Sequence, residues 1–305
     1  MASRYNWREL YSGLQAGNRV KLGRALSLIE SQKAEDRAES AELIDACLRA
    51  EKRETIRVGI TGSPGSGKSS TIECLGTEAI SRGHRVAVLT VDPSSSITGG
   101  SILGDKTRMP RLASSDKAFI RPSAAGNTLG GVASTTREAI ILCEAAGYDF
   151  IVVETVGVGQ SETAVYHMTD LFVFLILPGA GDELQGIKRG IVEMADLVII
   201  NKADEDRINL ADQAQKDYRN ALHLFREKES GWQSRVMKHS IFDPSKTSEV
   251  LDQIQDFNRF VSANGYKFSR RTTQQLDWFE EMLRRSLLEL VVSTRRDMDE
   301  QLSTL

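Results

Sequence analysis

Short apolar runs rich in β-branched residues recur along the chain from Ile56 onward, and helix-length stretches separate them. Buried parallel strands give continuous apolar runs of this kind, because helices cover both faces of their sheet. Alternation of such strands with helices predicts an α/β fold, a doubly wound and mostly parallel sheet with right-handed crossover connections. Ligands bind such sheets at the carboxyl ends of the strands. The seven predicted strands are the runs IRVGIT, RVAVLTV, AFIRP, DFIVVE, LFVFLIL, LVIIN and RVMKHSI.

The pattern differs at both ends of the chain, where apolar residues recur at helical spacing. In residues 1–54 one such face contains Leu22, Leu26 and Ile29, and a second helical segment follows it. After Ala263 no strand-like run occurs, and Gln274–Arg296 has the pattern of one long charged helix. We therefore predict a helical extension at 1–54, a central domain at 55–263 and a helical arm at 264–305. The arm carries an apolar stripe that must pack on its own domain or on another copy of the chain: Leu276, Phe279, Leu283, Leu287 and Leu290.

The composition is that of an ordinary globular protein, with 40% hydrophobic and 27% charged residues among 305. A formal net charge of -3 gives no general attraction to nucleic acid or to anionic membranes, so neither is predicted as a partner. No apolar run is long enough to span a bilayer and the first residues do not resemble a signal peptide, which favours a cytoplasmic location. The cysteines are too far apart for a disulfide framework or a CxxC site, and we interpret them as small core residues. The histidines show no paired spacing and are interpreted as scattered surface or core residues.

Between strand Arg57–Thr61 and a predicted helix at Lys68–Ser81, the stretch GITGSPGSGKSS fits the pattern G-x-x-x-x-G-K-[ST]. Its glycines allow successive N–H groups to surround a phosphate, and the helix N-terminus adds partial positive charge. We interpret the absence of side chains as space for a triphosphate; a flexible linker is the disfavoured alternative. Lys68 is expected to reach the β- and γ-phosphates and Ser69 to bind Mg²⁺. The predicted nucleotide contacts here are Gly62, Ser63, Pro64, Gly65, Ser66, Gly67, Lys68, Ser69 and Ser70.

The stretch LVIINKAD indicates which base is bound, because Asn201, Lys202 and Asp204 directly follow an apolar strand. A carboxylate at Asp204 can accept from the N1–H and the 2-amino group of guanine, whereas adenine offers neither donor. A buried acid left without partners can disfavour the wrong base by about 10⁴-fold. Asn201 is expected to brace the loop, and Lys202 to lie along the plane of the base. After the last strand, the residues in position to contact guanine O6 are Ser240, Ile241 and Phe242.

Acidic residues end two further strands, Asp92 after RVAVLTV and Glu154 in DFIVVE. By the strand-end rule both point toward the phosphate pocket, where one or both are expected to hold Mg²⁺ or its waters. Asp105, in the glycine-containing loop TGGSILGDKTRM, could complete the metal shell. With Lys68, these three acids form the predicted catalytic set.

Two glycine-containing segments follow later strands. In TVGVGQSE the N–H of Gly157 can sense the γ-phosphate, and Gln160 is near enough to orient water. The segment LPGAGDELQGIKRG is too polar for a core and is interpreted as a third switch, with a solvated loop as the alternative. Its candidate residues are Asp182, Gln185 and Lys188.

Together these stretches resemble the MeaB (ArgK-type) family of GTPases, with DPSS…TGGSILGDKTRM and ETVGVGQSE the most specific parts. The resemblance covers nearly the whole chain. It implies a GTP- and GDP-binding P-loop domain with a C-terminal arm that builds a homodimer, and Mg²⁺ near Ser69, Asp92, Asp105 and Glu154. It also implies a third switch that responds to an adenosylcobalamin-dependent acyl-CoA mutase. The segment SIFDPSKTSEV after His239 departs from the family pattern, because it lacks the expected glycine-bearing loop.

The resulting hypothesis is a Mg²⁺-dependent GTPase that chaperones such a mutase, gates its cofactor loading and protects it from inactivation. Three alternatives stay open. A nickel or cobalt delivery GTPase needs a His/Cys cluster, which the sequence does not display. A nucleotide-gated scaffold would bind the mutase equally in every nucleotide state, and a kinase would yield a phosphorylated product rather than free phosphate.

Overall fold

A computed structural model describes residues 3–51, 53–91, 108–122, 129–155, 161–179 and 189–303. Seven strands form one sheet in the order β3-β2-β4-β1-β5-β6-β7, and every pair of neighbours is parallel. All seven predicted strands are therefore confirmed, as is the parallel α/β architecture. The strands are β1 (Ile56–Gly62), β2 (Val86–Val91), β3 (Ala118–Pro122), β4 (Phe150–Thr155), β5 (Leu171–Ile176), β6 (Leu197–Ile200) and β7 (Arg235–Lys238).

Helices cover both faces of this sheet. Before it come α1 (Trp7–Gln15), α2 (Arg19–Ile29) and α3 (Ala34–Arg49). Between and after the strands come α4 (Lys68–Ser81), α5 (Pro110–Ser114), α6 (Leu129–Ala145), α7 (Ser161–Tyr166), α8 (Arg189–Met194), α9 (Ile208–His223, after a 3₁₀ turn at Glu205–Arg207), α10 (Pro244–Ala263) and α11 (Tyr266–Ser303).

Alternate residues of each strand enter different cores, as the period of two in a strand requires. In β2, Val86 and Val88 join the core under α4 and α10, whereas Ala87 and Leu89 join the core under α6 and the N-terminal helices. Both sets are buried, which explains why the strand sequence is continuously apolar rather than alternating.

The N-terminal helices share their core with α6 and one face of the sheet. The sequence pattern did not single out α1, a short helix whose start is set by a polar cap. The side chain of Asn6 accepts from the backbone N–H groups of Arg8 and Glu9, at 3.0 and 3.3 Å. Such a cap satisfies donors that the first helical turn leaves without partners. The boundary predicted at residue 54 falls just before β1.

The C-terminal helix α11 is longer than the predicted Gln274–Arg296, because it begins at Tyr266 directly after Gly265. Its first turns were missed because polar contacts, not an apolar stripe, hold them on the domain. Arg271 donates to both oxygens of buried Asp170 at 2.7 and 2.6 Å, and Arg270 donates to the Thr169 carbonyl oxygen at 3.0 Å. The first part of the arm is thus fixed to the sheet domain by guanidinium groups.

Cys47, Cys74 and Cys143 are free thiols; Cys47 and Cys143 are buried, as predicted, whereas Cys74 is only partly buried. Of the helices in the described ranges, none combines the length and the apolar character needed to cross a bilayer.

Candidate functional site at the carboxyl edge of the sheet

The phosphate loop lies between β1 and α4, with Gly67 as the residue that precedes the helix. Gly65 and Gly67 have φ angles of 81° and 88°, which side-chain-bearing residues rarely adopt. A Cβ on Gly67 would lie 2.5 Å from Nδ2 of Asn201, and a Cβ on Gly62 would lie 2.4 Å from the Leu175 carbonyl oxygen. At these two positions the protein's own atoms fill the space that the sequence interpretation reserved for a triphosphate. A triphosphate is therefore not needed to explain the glycines at 62 and 67, whereas at Gly65, where a Cβ would meet no atom within 4 Å, that explanation stays a prediction.

Lys68 is the first residue of α4 and is 8% exposed. Its ammonium donates to the carbonyl oxygens of Gly62 at 2.8 Å and Ser63 at 3.2 Å, so it lies along the inside of the loop. An ammonium held there, beside a helix N-terminus, makes the loop suited to a polyanion.

Ser69 and Glu154 meet at the same edge. The Ser69 hydroxyl donates to Oε1 of Glu154 at 3.2 Å, and Glu154 is buried near the end of β4. A hydroxyl and a carboxylate are the hard oxygen ligands that Mg²⁺ prefers. These two residues therefore fit a Mg²⁺ ion placed beside the phosphate loop.

The segment predicted to recognise the base begins where β6 ends. Asn201 is buried, and its Nδ2 donates to the Ser66 carbonyl oxygen of the phosphate loop at 2.7 Å. Lys202 has a φ of 58°, a left-handed conformation that turns the chain sharply after the strand. Asp204 accepts from the hydroxyl of Ser240 at 2.5 Å. The phosphate loop and the two predicted base loops are therefore in direct contact.

A cavity of about 430 Å³ opens between these loops. Its size falls within the range typical of small-ligand sites. It is lined by Gly67, Ser70, Asn201, Lys202, Asp204, Asp206, Arg207, Ile241 and Phe242. Although the segment after β7 lacks the expected glycine-bearing loop, it still brings Ser240 to Asp204 and its two apolar residues to the cavity.

His239 was missed by the sequence analysis, which treated it as a scattered histidine. It is fully buried, with Nδ1 2.8 Å from Oδ1 of Asn201 and Nε2 3.1 Å from Oγ1 of Thr247. Burial lowers its pKa to about 4, with a smaller opposing influence from Asp243, so the ring is neutral at pH 7. The available signal was its place at the end of a strand, next to Ser240.

Seven predicted site residues lie outside the described residues: Asp92, Asp105, Gly157, Gln160, Asp182, Gln185 and Lys188. The other predicted residues lie along one edge of the sheet, as the strand-end rule requires. That edge combines a loop suited to a polyanion, oxygen atoms suited to a divalent cation and a cavity lined by two aspartates, Asp204 and Asp206. Such an arrangement can bind a nucleoside triphosphate with its metal and hydrolyse it.

Comparison with known proteins agrees with this chemistry. The family model described as "Methylmalonyl Co-A mutase-associated GTPase MeaB" matches residues 22–296. A putative GTPase of Caulobacter vibrioides is 49% identical over 89% of this chain and 82% of its own length. The GTPase ArgK of Escherichia coli is 45% identical over 90% of this chain and 83% of its own length. The mitochondrial methylmalonic aciduria type A homolog of Mus musculus is 45% identical over 92% of this chain and 70% of its own length.

The fold agrees as well. A crystal structure described as LAO/AO transport system kinase superposes with a TM-score of 0.79 at 36% identity, covering 94% of this chain and 86% of that one. The family match spans most of the sequence, and relatives named as GTPases cover about nine-tenths of it. The chain is therefore a GTPase and belongs to the MeaB family of methylmalonyl-CoA mutase-associated GTPases.

Proposed function

We propose that this GTPase is a Mg²⁺-dependent chaperone of an adenosylcobalamin-dependent acyl-CoA mutase, methylmalonyl-CoA mutase or a close relative. It gates loading of the mutase cofactor and protects the mutase from inactivation. The family description supports the link to this mutase. The observation that carries the nucleotide part is the meeting of Lys68, Ser69 and Glu154 beside the phosphate loop. We propose a cytoplasmic location.

Catalysis rests on position and charge, because in-line attack of water on the γ-phosphate demands little covalent chemistry from the protein. The ammonium of Lys68 exchanges loop carbonyl oxygens for phosphate oxygens when the nucleotide binds. Ser69 and Glu154 would hold Mg²⁺, which when bound would neutralise charge on the phosphate oxygens. The guanine edge is read by Asp204, which the Ser240 hydroxyl holds in place.

The remaining roles rest on the sequence. We propose that Asp92 and Asp105 complete the metal shell and that Gly157 senses the γ-phosphate. The third switch, with Asp182, Gln185 and Lys188, responds to the mutase. A nucleotide can shift the switch states only by its differential affinity for them, so the mutase must prefer one nucleotide form.

Lys68→Ala tests the nucleotide site. We expect kcat for GTP hydrolysis to fall at least about 10²-fold, because the charge that stabilises the transition state is lost. The matched control is Lys246→Ala, which removes a half-exposed lysine paired with Glu249 on α10 and leaves turnover unchanged. Normal hydrolysis by Lys68→Ala refutes the site, and a phosphorylated product in place of free phosphate supports the kinase alternative.

Asp204→Asn tests which base the site recognises. We expect GTP affinity to fall by about 10³-fold or more, because the amide presents a donor to guanine donors. The same amide can donate to the C2 carbonyl of xanthine, so retained or improved binding of xanthosine triphosphate shows that the variant is folded. Unchanged preference for GTP over both ATP and the xanthosine nucleotide contradicts the assignment.

An exposed apolar stripe on the C-terminal arm supports the proposal of a homodimer. In the single chain the side chains of Leu276, Phe279, Leu283 and Leu287 are about half or more exposed, a stripe that a second copy could cover. We propose that two arms pack through it. Leu283→Glu is expected to give a monomer in light scattering, whereas Leu224→Glu, at an exposed leucine outside the arm, leaves the mass unchanged. A dimer in both variants rejects the proposal.

The chaperone role is tested by the affinity of the GTP-bound, GDP-bound and nucleotide-free protein for methylmalonyl-CoA mutase. Affinities that differ between GTP and GDP support gating. Equal affinity in all three states favours the nucleotide-gated scaffold, whose turnover is incidental.

A further inference from the structure

A chain of three side-chain contacts leads from α10 to the phosphate loop. Oγ1 of Thr247 lies 3.1 Å from Nε2 of His239, and Nδ1 of His239 lies 2.8 Å from Oδ1 of Asn201. Asn201 then donates through Nδ2 to the Ser66 carbonyl oxygen at 2.7 Å. All four residues are buried, so water cannot readily replace a missing partner.

The direction of each of these three hydrogen bonds follows from the last one, which ends on the Ser66 carbonyl oxygen. The Ser66 carbonyl can only accept, so the Asn201 side chain must present its nitrogen there and its oxygen to His239. An amide oxygen also only accepts, so Nδ1 of His239 must carry the proton. In the neutral ring Nε2 is then an acceptor, and Thr247 must donate its hydroxyl hydrogen.

The main chain of His239 holds the same segment. Its N–H donates to the Ile200 carbonyl oxygen at 2.9 Å, and its carbonyl accepts from the Ala203 N–H at 3.0 Å. Asn201 lies between Ile200 and Ala203 in the sequence, and its side-chain nitrogen Nδ2 fills the space beside Gly67. The imidazole of His239 therefore sets the orientation of the Asn201 amide. The nitrogen of that amide in turn occupies the space next to Gly67 in the phosphate loop.

We propose that His239, oriented by Thr247, is a positioning residue for nucleotide binding: its Nδ1–H fixes the Asn201 amide that braces the phosphate loop. The inference rests on the nucleotide site proposed above. A histidine serves here because it can donate from Nδ1 and accept at Nε2 at the same time. Its effect is on how tightly the nucleotide is held, not on the chemical step.

Two substitutions at His239 distinguish this positioning role from a role in core packing alone. Asparagine places an amide nitrogen near the position of Nδ1, whereas glutamine places one near Nε2. We expect His239→Gln to release GDP about tenfold faster and to raise KM for GTP by a similar factor, with kcat at saturating GTP within about twofold. His239→Asn should stay within about threefold of the wild type in both quantities. The control His84→Gln alters a histidine at the amino edge of the sheet, paired with Asp149, and should change neither.

Equal effects of His239→Gln and His239→Asn on GDP release overturn the proposal, as does a fall in kcat with unchanged release. If the glutamine variant does not fold, Thr247→Val and Thr247→Ser give the same contrast: valine removes the hydroxyl and should speed release about threefold, while serine keeps it. Failure of wild-type protein to bind guanine nucleotides would instead reject the underlying site.

The tautomer gives a readout that a merely structural histidine need not share. In ¹⁵N NMR spectra of the full chain at pH 7, we expect the His239 ring to be protonated at Nδ1 and unprotonated at Nε2. Protonation at Nε2 alone would place two acceptors against each other at Asn201 and would overturn the proposal.

Discussion

The two edges of the sheet use polar residues in opposite ways. At the carboxyl edge, Lys68 donates to loop carbonyl oxygens beside a cavity, contacts that a phosphate can replace. At the amino edge, charged groups pair with one another. Arg57 makes two contacts of 2.8 Å with Glu144, and Arg271 makes contacts of 2.7 and 2.6 Å with Asp170. At the carboxyl edge the lysine contacts carbonyl oxygens of the loop predicted to bind the ligand, whereas at the amino edge the charged groups contact one another.

The pKa values at the amino edge agree with a permanent network. Burial opposes ionisation of Asp170, but the adjacent Arg271 guanidinium outweighs it and keeps the pKa of Asp170 below its usual value. Glu144 has a lowered pKa for the same reason, with Arg57 as the main partner. Because Arg271 belongs to α11, this network fixes the arm to the domain. At the carboxyl edge, next to its charged residues, the contact between Asn201 and His239 joins two neutral groups.

The largest effect is expected from a substitution that removes the ion pair between Arg271 and Asp170 at the amino edge. Arg271→Met leaves Asp170 buried without its ion-pair partner, and we expect the free energy of unfolding to fall by about 3–5 kcal/mol. GDP affinity should be unchanged at temperatures where the variant is folded. Urea denaturation and GDP titration measure the two quantities.

The matched control lies on the same helix. Arg284 forms an exposed pair with Glu280, so Arg284→Met should cost less than about 1 kcal/mol. Equal destabilisation by the two substitutions would show that burial of the pair is not the cause, and loss of GDP affinity in Arg271→Met would show that the edges are not independent.

The next largest effect concerns the pH dependence of stability, through the neutral ring of His239 at the carboxyl edge. Burial lowers the pKa of His239 to about 4. Between the usual histidine pKa and that value, the unfolded chain binds a proton that the folded chain does not, so stability is lost as the pH falls. One pKa unit corresponds to about 1.4 kcal/mol, which gives a loss of about 3 kcal/mol between pH 7 and pH 4.

The comparison of wild type with His239→Asn isolates this loss, because carboxylates titrate in both proteins. His167, whose pKa burial also lowers, titrates in both as well. Urea denaturation at several pH values should show a steeper decline for the wild type between pH 6.5 and pH 4.5. Parallel declines would mean that His239 is not buried in its neutral form.

Most of the fold could be predicted from the sequence, because both faces of the sheet are buried and each strand is a continuous apolar run. The predicted helix Lys68–Ser81 matches α4, since a glycine in the left-handed region marks its start. The first turns of α11 could not be predicted from periodicity. They are held by Arg270 and Arg271, whose partners lie about a hundred residues earlier in the chain.

The candidate site could be predicted where a motif has fixed spacing. The residues of the phosphate loop and of NKAD are brought together as the strand-end rule requires. His239 carries no motif, and its partner Asn201 lies 38 residues earlier, so only the three-dimensional contact reveals its role. The reason for a glycine at position 67 was likewise inaccessible, because the obstructing atom belongs to that distant asparagine.

The smallest expected effect tests this last point, that Asn201 is the reason for Gly67. Gly67 and Gly83 have similar φ angles of 88° and 97°, but only a Cβ on Gly67 would meet another atom, Nδ2 of Asn201. Gly83→Ala should therefore cost about 1 kcal/mol through backbone strain alone. Gly67→Ala should cost about 1–2 kcal/mol in the nucleotide-free protein, because it also displaces the Asn201 amide from the Ser66 carbonyl.

Gly67→Ala should in addition speed GDP release, and the added effect should largely vanish when His239→Gln has already freed the same amide. Such non-additivity is expected when two residues act through one shared group. If the two changes instead add in full, Gly67 and His239 act on the nucleotide independently, and the phosphate loop is not braced through Asn201.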